Sequence, residues 1–145
     1  MRARGFVKAV RDRRGEVYID TAVGFVAAMF AVVLALNVFS FLTLKQDLDY
    51  CSKQLCEACC SSGGTGEEAE RRLRELGAET GLSPSVSYEG TEYYNAAKKT
   101  VQYGETVKVT LTLETHVRGL GIVRFPVTLV SSHSGLSRRY WKKGD

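Results

Sequence analysis

The chain has 145 residues, of which 44% are hydrophobic and 25% are charged, and its formal net charge is +4. This length leaves room for one small domain beside a membrane segment and excludes a multidomain enzyme. Residues 1–15 contain six Lys/Arg and one Asp, a net charge of +5, so the rest of the chain sums to −1. Because the positive charge is confined to one end, the composition does not predict a nucleic-acid partner.

An uncharged apolar segment runs from Thr21 to Leu44. As a helix rising about 1.5 Å per residue it reaches about 36 Å, enough to cross the roughly 30 Å of a bilayer core. The apolar run is too long for a secretory signal peptide. We therefore predict a single transmembrane helix over residues 16–44 in the lipid bilayer of the cell membrane. The basic residues before it predict a cytoplasmic N-terminus and an extracytoplasmic C-terminal domain.

The start of the apolar segment contains a recognisable pattern. Arg14 and Gly15 precede Glu16, and Asp20 is the fifth residue after the glycine. This pattern resembles the class III signal of type IV prepilins, and the chain is similar in outline to TadE-like minor pilins, or pseudopilins, of tight-adherence (Flp) pili. The resemblance implies that a prepilin peptidase cleaves between Gly15 and Glu16 and removes residues 1–15. It also implies incorporation into a pilus or secretion filament, with other pilin subunits and the pilus assembly platform as partners.

The chemistry of these residues fits such processing. Gly15 lacks a Cβ and lets the chain extend in front of the helix. Cleavage would create an α-amine on Glu16, and a carboxylate at the hydrocarbon edge, such as Asp20, is costly without a partner. The resemblance assigns Asp20 to subunit assembly, paired with the amine of a neighbouring subunit. Alternatively, Asp20 marks the cytoplasmic end of the span, and the protein is permanently anchored with an outward-facing binding domain.

The helix is predicted to continue as a stalk over residues 45–60, because apolar residues recur every three or four positions at Leu44, Leu48, Cys51, Leu55 and Ala58. The Ser/Gly-rich residues 61–66 are predicted to form a flexible linker to a domain over residues 67–145. In that domain, Thr65 and Glu68 form a capping-box pattern before a short amphipathic helix that Gly77 or Gly81 can end.

All four cysteines lie in the stalk, at Cys51, Cys56, Cys59 and Cys60. Three interpretations remain open: disulfides within the cluster or between subunits, small apolar residues on a helix face, or a zinc site. The spacing lacks the two CxxC pairs typical of a four-thiolate zinc site, so no metal is predicted. In an oxidising location outside the membrane, disulfide bonding is the favoured interpretation.

After Leu82, apolar and polar residues alternate with a period of two, which predicts β-strands. The predicted fold class is α+β, in which the stalk helix covers a small antiparallel β-meander, as in pilins. Short strands are predicted around Val86 and Tyr88 and around Val101 and Tyr103, the second entering a hairpin turn at Gly104-Glu105. Two longer strands are predicted on either side of a turn at Arg118–Gly121, with buried faces at Val107, Val109, Leu111, Leu113 and Val117 and at Val123, Phe125, Val127 and Leu129. Pro126 places the last strand at an edge or a bulge. Residues 91–99 receive no assignment.

No catalytic motif is present in the sequence. His116 and His133 lack neighbouring residues that would make either one a base or a metal ligand, and there is no phosphate-binding glycine loop or nucleophile elbow. We therefore expect no enzymatic activity, no catalytic residue and no cofactor. The tail of residues 137–143 mixes cations with aromatics, which would suit a membrane surface, a glycan or an acidic partner. It is interpreted as a solvated terminus.

Overall fold

The computed structural model describes residues 13–119 and 123–142, with side chains described for residues 18–116 and 126–142. Helix α1 spans Arg13–Ser62, a length of 50 residues. The chain divides inside this helix into two compact units, Met1–Leu36 and Asn37–Asp145. In the first unit, every described residue is helical, and residues 18–36 are all exposed.

The second unit has the predicted α+β fold. The rest of α1 is followed by helix α2 (Glu67–Thr80) and by strands β1 (Ser85–Ser87), β2 (Thr106–Gly119) and β3 (Val123–Leu136). The strands form one antiparallel sheet in the order β1-β2-β3. Strand β3 is therefore an edge strand, as Pro126 predicted, because proline cannot donate a backbone hydrogen bond to a further neighbour.

The core lies between the stalk part of α1 and one face of the sheet. The alternation in β2 is confirmed at Val107, Val109 and Leu111, which are fully buried, while Leu113 is half-buried. The side chains of Val117, Val123 and Phe125, also predicted to be buried, lie outside those that the structure describes. The remaining buried apolar residues come from α1, α2, the segment before β2, and β3, and they are Leu48, Cys51, Leu55, Cys56, Cys59, Cys60, Ala69, Leu76, Val101 and Leu129. Apolar surface removed from water contributes about 25 cal/mol per Å² to stability, so these buried side chains hold the helix on the sheet.

The predicted capping box at the start of α2 is wrong. The N-cap residue is Gly66, and no side chain caps the helix. Thr65 is 1% exposed, and its hydroxyl is 2.8 Å from the hydroxyl of Tyr93. A buried hydroxyl needs a partner, and Tyr93 supplies it in place of the helix amides. The C-terminal prediction is confirmed, since Gly81 ends α2 in the left-handed conformation at φ 70°.

The predicted strand around Val101 and its hairpin turn are also wrong. The turn at residues 102–105 is closed by the Glu105 amide, which donates to the Gln102 carbonyl at 3.1 Å, and Gly104 takes its third position with φ 83°. A type II turn requires a positive φ there. Val101 is fully buried but bonds outside the sheet, because its amide donates to the Gly63 carbonyl at 2.8 Å.

The segment predicted to be a flexible linker makes many contacts. Helix α1 continues to Ser62, and the amides of Gly63 and Gly64 both donate to the Cys59 carbonyl. Gly64 lies so close to the next loop that an added Cβ would come within 2.6 Å of the Lys99 carbonyl oxygen. The connection between the helices is therefore hydrogen-bonded and tightly packed at these residues.

The C-terminal tail packs against the end of α1, contrary to the predicted solvated terminus. The Arg138 amide donates to the Cys60 carbonyl at 2.8 Å, and the Ser137 hydroxyl donates to the Val101 carbonyl at 3.0 Å. Trp141 donates its indole N–H to the Gly63 carbonyl at 2.9 Å. These bonds tie residues 137–141 to the helix end and to the loop before β2.

Gly135→Ala should destabilise the protein, because a Cβ at this position would lie 2.8 Å from Cys60 Sγ. Overpacking of this kind costs about 1–3 kcal/mol. The measurement is the free energy of unfolding of the full chain in detergent micelles. Ser134→Ala, at an exposed neighbouring position in β3, is the control and should change little. Adding Cys60→Ala should recover part of the loss; a Gly135→Ala variant as stable as the parent would contradict this packing.

Candidate functional site

The first candidate site is the apolar surface of α1. Large apolar side chains are exposed around the helix from Tyr18 to Leu42; Phe25 is 67% exposed and Phe39 73%. A helix that is apolar on all sides requires lipid or other helices around it. In the part of the chain that the structure describes, one helix is long and apolar enough to cross a membrane, and it is α1.

The residues of the predicted cleavage site lie at the start of α1. Because α1 spans Arg13–Ser62 in the described part of the chain, the backbone of Gly15 and Glu16 is helical and not extended as predicted. A peptidase that binds extended substrates would have to unwind the helix at Gly15 and Glu16 before cutting between them. The Asp20 side chain is exposed. Cleavage at Gly15 and the assembly role of Asp20 remain predictions.

The second candidate site is a polar network that joins α1 to β3. Lys45 Nζ donates to Asp49 Oδ1 at 2.8 Å and to the Val130 carbonyl at 2.7 Å. The Ser131 hydroxyl donates to the same Asp49 oxygen. These bonds lower the pKa of Asp49, through Lys45 first and Ser131 second. The network fixes the helix against the sheet at the base of the second unit.

This network brings together an Asp, two Ser and a His, yet its geometry does not favour nucleophilic catalysis. Ser52 is fully buried, with its hydroxyl 2.7 Å from Ser131 Oγ and 3.5 Å from His133 Nδ1. Nδ1 is also 2.8 Å from the Ser132 carbonyl, which can only accept, so this nitrogen carries the proton. A protonated Nδ1 cannot remove a proton from Ser52. The arrangement packs α1 against β3. The other histidine, His116, is not part of it and is exposed in β2, opposite Pro126.

Only part of this network leaves a signal in the sequence. Lys45 and Asp49 have the four-residue spacing of a helical ion pair, which is a readable signal. Nothing local marks Ser131 as their partner, since it lies 82 residues further along the chain than Asp49.

The four cysteines are free thiols, and all are buried. Cys51 Sγ is 3.7 Å from the Thr80 hydroxyl, whereas Cys56 and Cys60 both face Gly135 in β3. Burial first, and then neighbouring thiols, raise the pKa of Cys56 and Cys59 to about 12. Burial also raises the pKa of Cys60. The structure thus brings the cysteines into the core, and the predicted disulfides remain a prediction.

Metal binding finds no support in the described residues. Within residues 13–119 and 123–142, no group of three or more His, Cys, Asp or Glu side chains is placed to hold a metal ion. A thiol must lose its proton to bind a metal, and the raised pKa values of Cys56 and Cys59 oppose that loss.

Together, the long apolar helix and the α+β fold of the second unit fit a membrane-anchored α+β protein. Residues 25–142 match a family described as Domain of unknown function (DUF4320), and the chain belongs to this family. The matched region includes the cysteine cluster and the sheet but begins after Gly15, Glu16 and Asp20. No protein of curated function and no solved structure matches the chain.

Asp49→Asn should lower the free energy of unfolding by about 0.5–1 kcal/mol at pH 7, the value of a partly exposed, hydrogen-bonded ion pair. The pKa of Asp49 is lower in the folded protein than in the unfolded chain. The ionised Asp49 therefore stabilises the fold fully at pH values above its unfolded-state pKa of about 3.9, and this contribution is lost as the pH falls through its folded-state pKa. The difference in stability between variant and parent should therefore stay constant down to about pH 4 and shrink at lower pH. Asp47→Asn is the control; an equal effect of both variants would contradict the network.

The buried thiols should react slowly. A thiol with a pKa of about 12 carries about one thiolate in 10,000 at pH 8, so iodoacetamide should modify Cys56 and Cys59 at least a hundredfold more slowly in the folded protein than in denaturant. Mass spectrometry of timed samples measures both rates. Equal modification rates in the folded and the denatured protein would show that the thiols are not buried and protonated. A mass of the unmodified protein that is lower by the hydrogens lost in a disulfide would show that the cysteines are not free thiols.

Proposed function

We propose that the protein is a minor pilin or pseudopilin that a prepilin peptidase cleaves between Gly15 and Glu16. The mature chain then enters a type IV-like filament of the tight-adherence (Flp) type, for a pilus or for secretion. The observation that carries this proposal is the apolar surface of α1, exposed at every residue from 18 to 36, directly after a prepilin-type Arg14-Gly15 pattern. Such a surface suits a helix that lies in lipid before assembly and against sister helices afterwards.

Asp20 gives the assembly its register. After cleavage, the α-amine of Glu16 stands four residues from Asp20, about 6 Å along the helix axis. A carboxylate within an apolar helix is costly in hydrocarbon unless an opposite charge neutralises it. The amine of a neighbouring subunit supplies that charge, and the pair favours one axial offset between the two helices.

The second unit gives the filament its outer surface. Its sheet is fixed to the stalk part of α1 by the buried core and by the Lys45–Asp49–Ser131 network, so each assembled subunit presents a folded domain of its own. In this proposal the basic leader keeps the N-terminus in the cytoplasm, and the domain lies outside the membrane.

Co-expression of the chain with a prepilin peptidase should shorten it by residues 1–15, and N-terminal sequencing should begin at Glu16. Gly15→Phe should abolish the cut, because a large side chain replaces the glycine that the peptidase requires. Asp20→Ala should be cut normally but should enter filaments at least tenfold less efficiently. Immunoblots of sheared filaments and of membranes measure how much of each variant is assembled and how much stays in the membrane.

Asp47→Ala is the matched control, since it removes a carboxylate from the same helix beyond the apolar segment, and it should be cut and assembled as the parent is. A native protein that still begins at Met1, with no shortened form, would contradict the proposal. That result would favour the permanently anchored protein with an outward-facing binding domain.

A further inference from the structure

A cavity of about 620 Å³ opens beside the start of α2. Three parts of the second unit form its walls: the junction between α1 and α2 with the first turns of α2, the loop at residues 98–100, and the C-terminal tail. The residues that line it are Ser62, Gly64, Gly66, Glu67, Glu68, Arg71, Arg74, Lys98, Lys99, Thr100, Arg139 and Trp141. Cavities of about 300–1,000 Å³ are typical of sites for small organic ligands.

The cavity is strongly basic. Five cationic side chains line it, against the two acidic side chains of Glu67 and Glu68. Arg71 is paired with Glu68, whereas the other four cations make no ion pair with a described residue. Like charges gathered around one concave surface repel each other and raise the local concentration of anions. An anionic occupant would remove this repulsion.

The loop that presents Lys98 and Lys99 is held in one conformation. The Asn95 side-chain oxygen accepts hydrogen bonds from the amides of Ala97 and Lys98, at 3.1 and 3.2 Å. Lys99 has φ 53°, in the left-handed region that residues with a side chain rarely adopt. Its carbonyl accepts the Thr65 amide at 3.0 Å, which ties this conformation to the start of α2. Backbone strain of this kind persists where surrounding contacts enforce it, and it is common at binding sites.

The tail contributes a cation and an aromatic ring to the lining of the cavity. The Arg139 guanidinium lies 4.4 Å from the centre of the Trp141 ring, and it donates to the Ser62 carbonyl at 3.4 Å. The Gln102 side chain makes two hydrogen bonds to the backbone of Trp141. Its oxygen accepts a hydrogen bond from the Trp141 amide at 2.7 Å, and its nitrogen donates one to the Trp141 carbonyl at 3.0 Å. Both side chains are thereby fixed in position before any ligand arrives.

We propose that this cavity binds an anionic oligosaccharide, whose carboxylate, sulfate or phosphate groups pair with Arg74, Lys98, Lys99 and Arg139. The volume of the cavity accommodates sugar rings as well as their charged groups, whereas one inorganic anion would leave most of it empty. Arg139 lies over one face of the Trp141 indole and the residue is half-buried, so the part of the ring left exposed is the apolar surface that a sugar ring would contact. An extended acidic peptide fits less well, because peptides commonly add to a strand edge and, among the described side chains, none from β1, β2 or β3 lines the cavity.

Calorimetric titration of the full chain in detergent micelles tests this ligand class. A sulfated uronate-containing tetrasaccharide should bind, and raising the salt from 50 to 300 mM should weaken its Kd at least fivefold. Neutral maltotetraose and inorganic phosphate should bind at least tenfold more weakly. Absence of tetrasaccharide binding would overturn the proposal, as would equal binding of phosphate or tighter binding of hexaglutamate.

Two matched double variants localise the binding. Arg74→Gln with Lys98→Gln removes two exposed cavity cations and should weaken tetrasaccharide binding at least tenfold. Lys53→Gln with Lys142→Gln removes two exposed cations outside this cavity and should leave the Kd unchanged. Equal affinities of the two double variants would overturn the assignment to this cavity. Neither result depends on cleavage at Gly15, so the failure of one proposal would be distinguishable from failure of the other.

Discussion

The contact between the stalk part of α1 and the inner face of the sheet is the constraint on which the second unit depends. Leu48 and Leu55 are fully buried from the helix side, and Val107, Val109 and Leu111 are fully buried from β2. In the described part of the chain the sheet has three strands, one of them three residues long, so it has little apolar surface to bury except against this helix. The free cysteines belong to the same contact, where they pack as small apolar side chains.

Helix α1 changes character along its length because its surroundings change. Up to Leu36 all of its described side chains are exposed, whereas from Leu48 onward one face is buried and the opposite face carries exposed charges such as Lys53 and Glu57. A helix can be apolar on all sides only where lipid or other helices surround it, and amphipathic only where one side meets a core. The proposed assembly function uses the first part, and the domain is held by the second.

The sequence predicted those elements whose signals are local and periodic. The alternation at Val107, Val109 and Leu111 predicted β2, and Pro126 predicted that β3 lies at an edge; both agree with the structure. The errors arose where a distant residue satisfied a polar group. Thr65 has the sequence signature of a helix cap, but its hydroxyl bonds with a tyrosine 28 residues away. The basic cavity could not be predicted from the sequence either. Its cations come from separate parts of the chain, and no spacing in the sequence indicates that they lie together.

Strand β3 and the stalk run in the same direction, and this sets how the domain responds to force. The contacts follow the same order along both elements: Lys45 bonds with the Val130 carbonyl, Ser52 lies against Ser131, and Gly135 meets Cys60. Tension along the helix axis would therefore act on these contacts in shear and load them simultaneously, whereas a perpendicular pull would open them one after another. The domain is thus mechanically strongest along the direction of its own stalk.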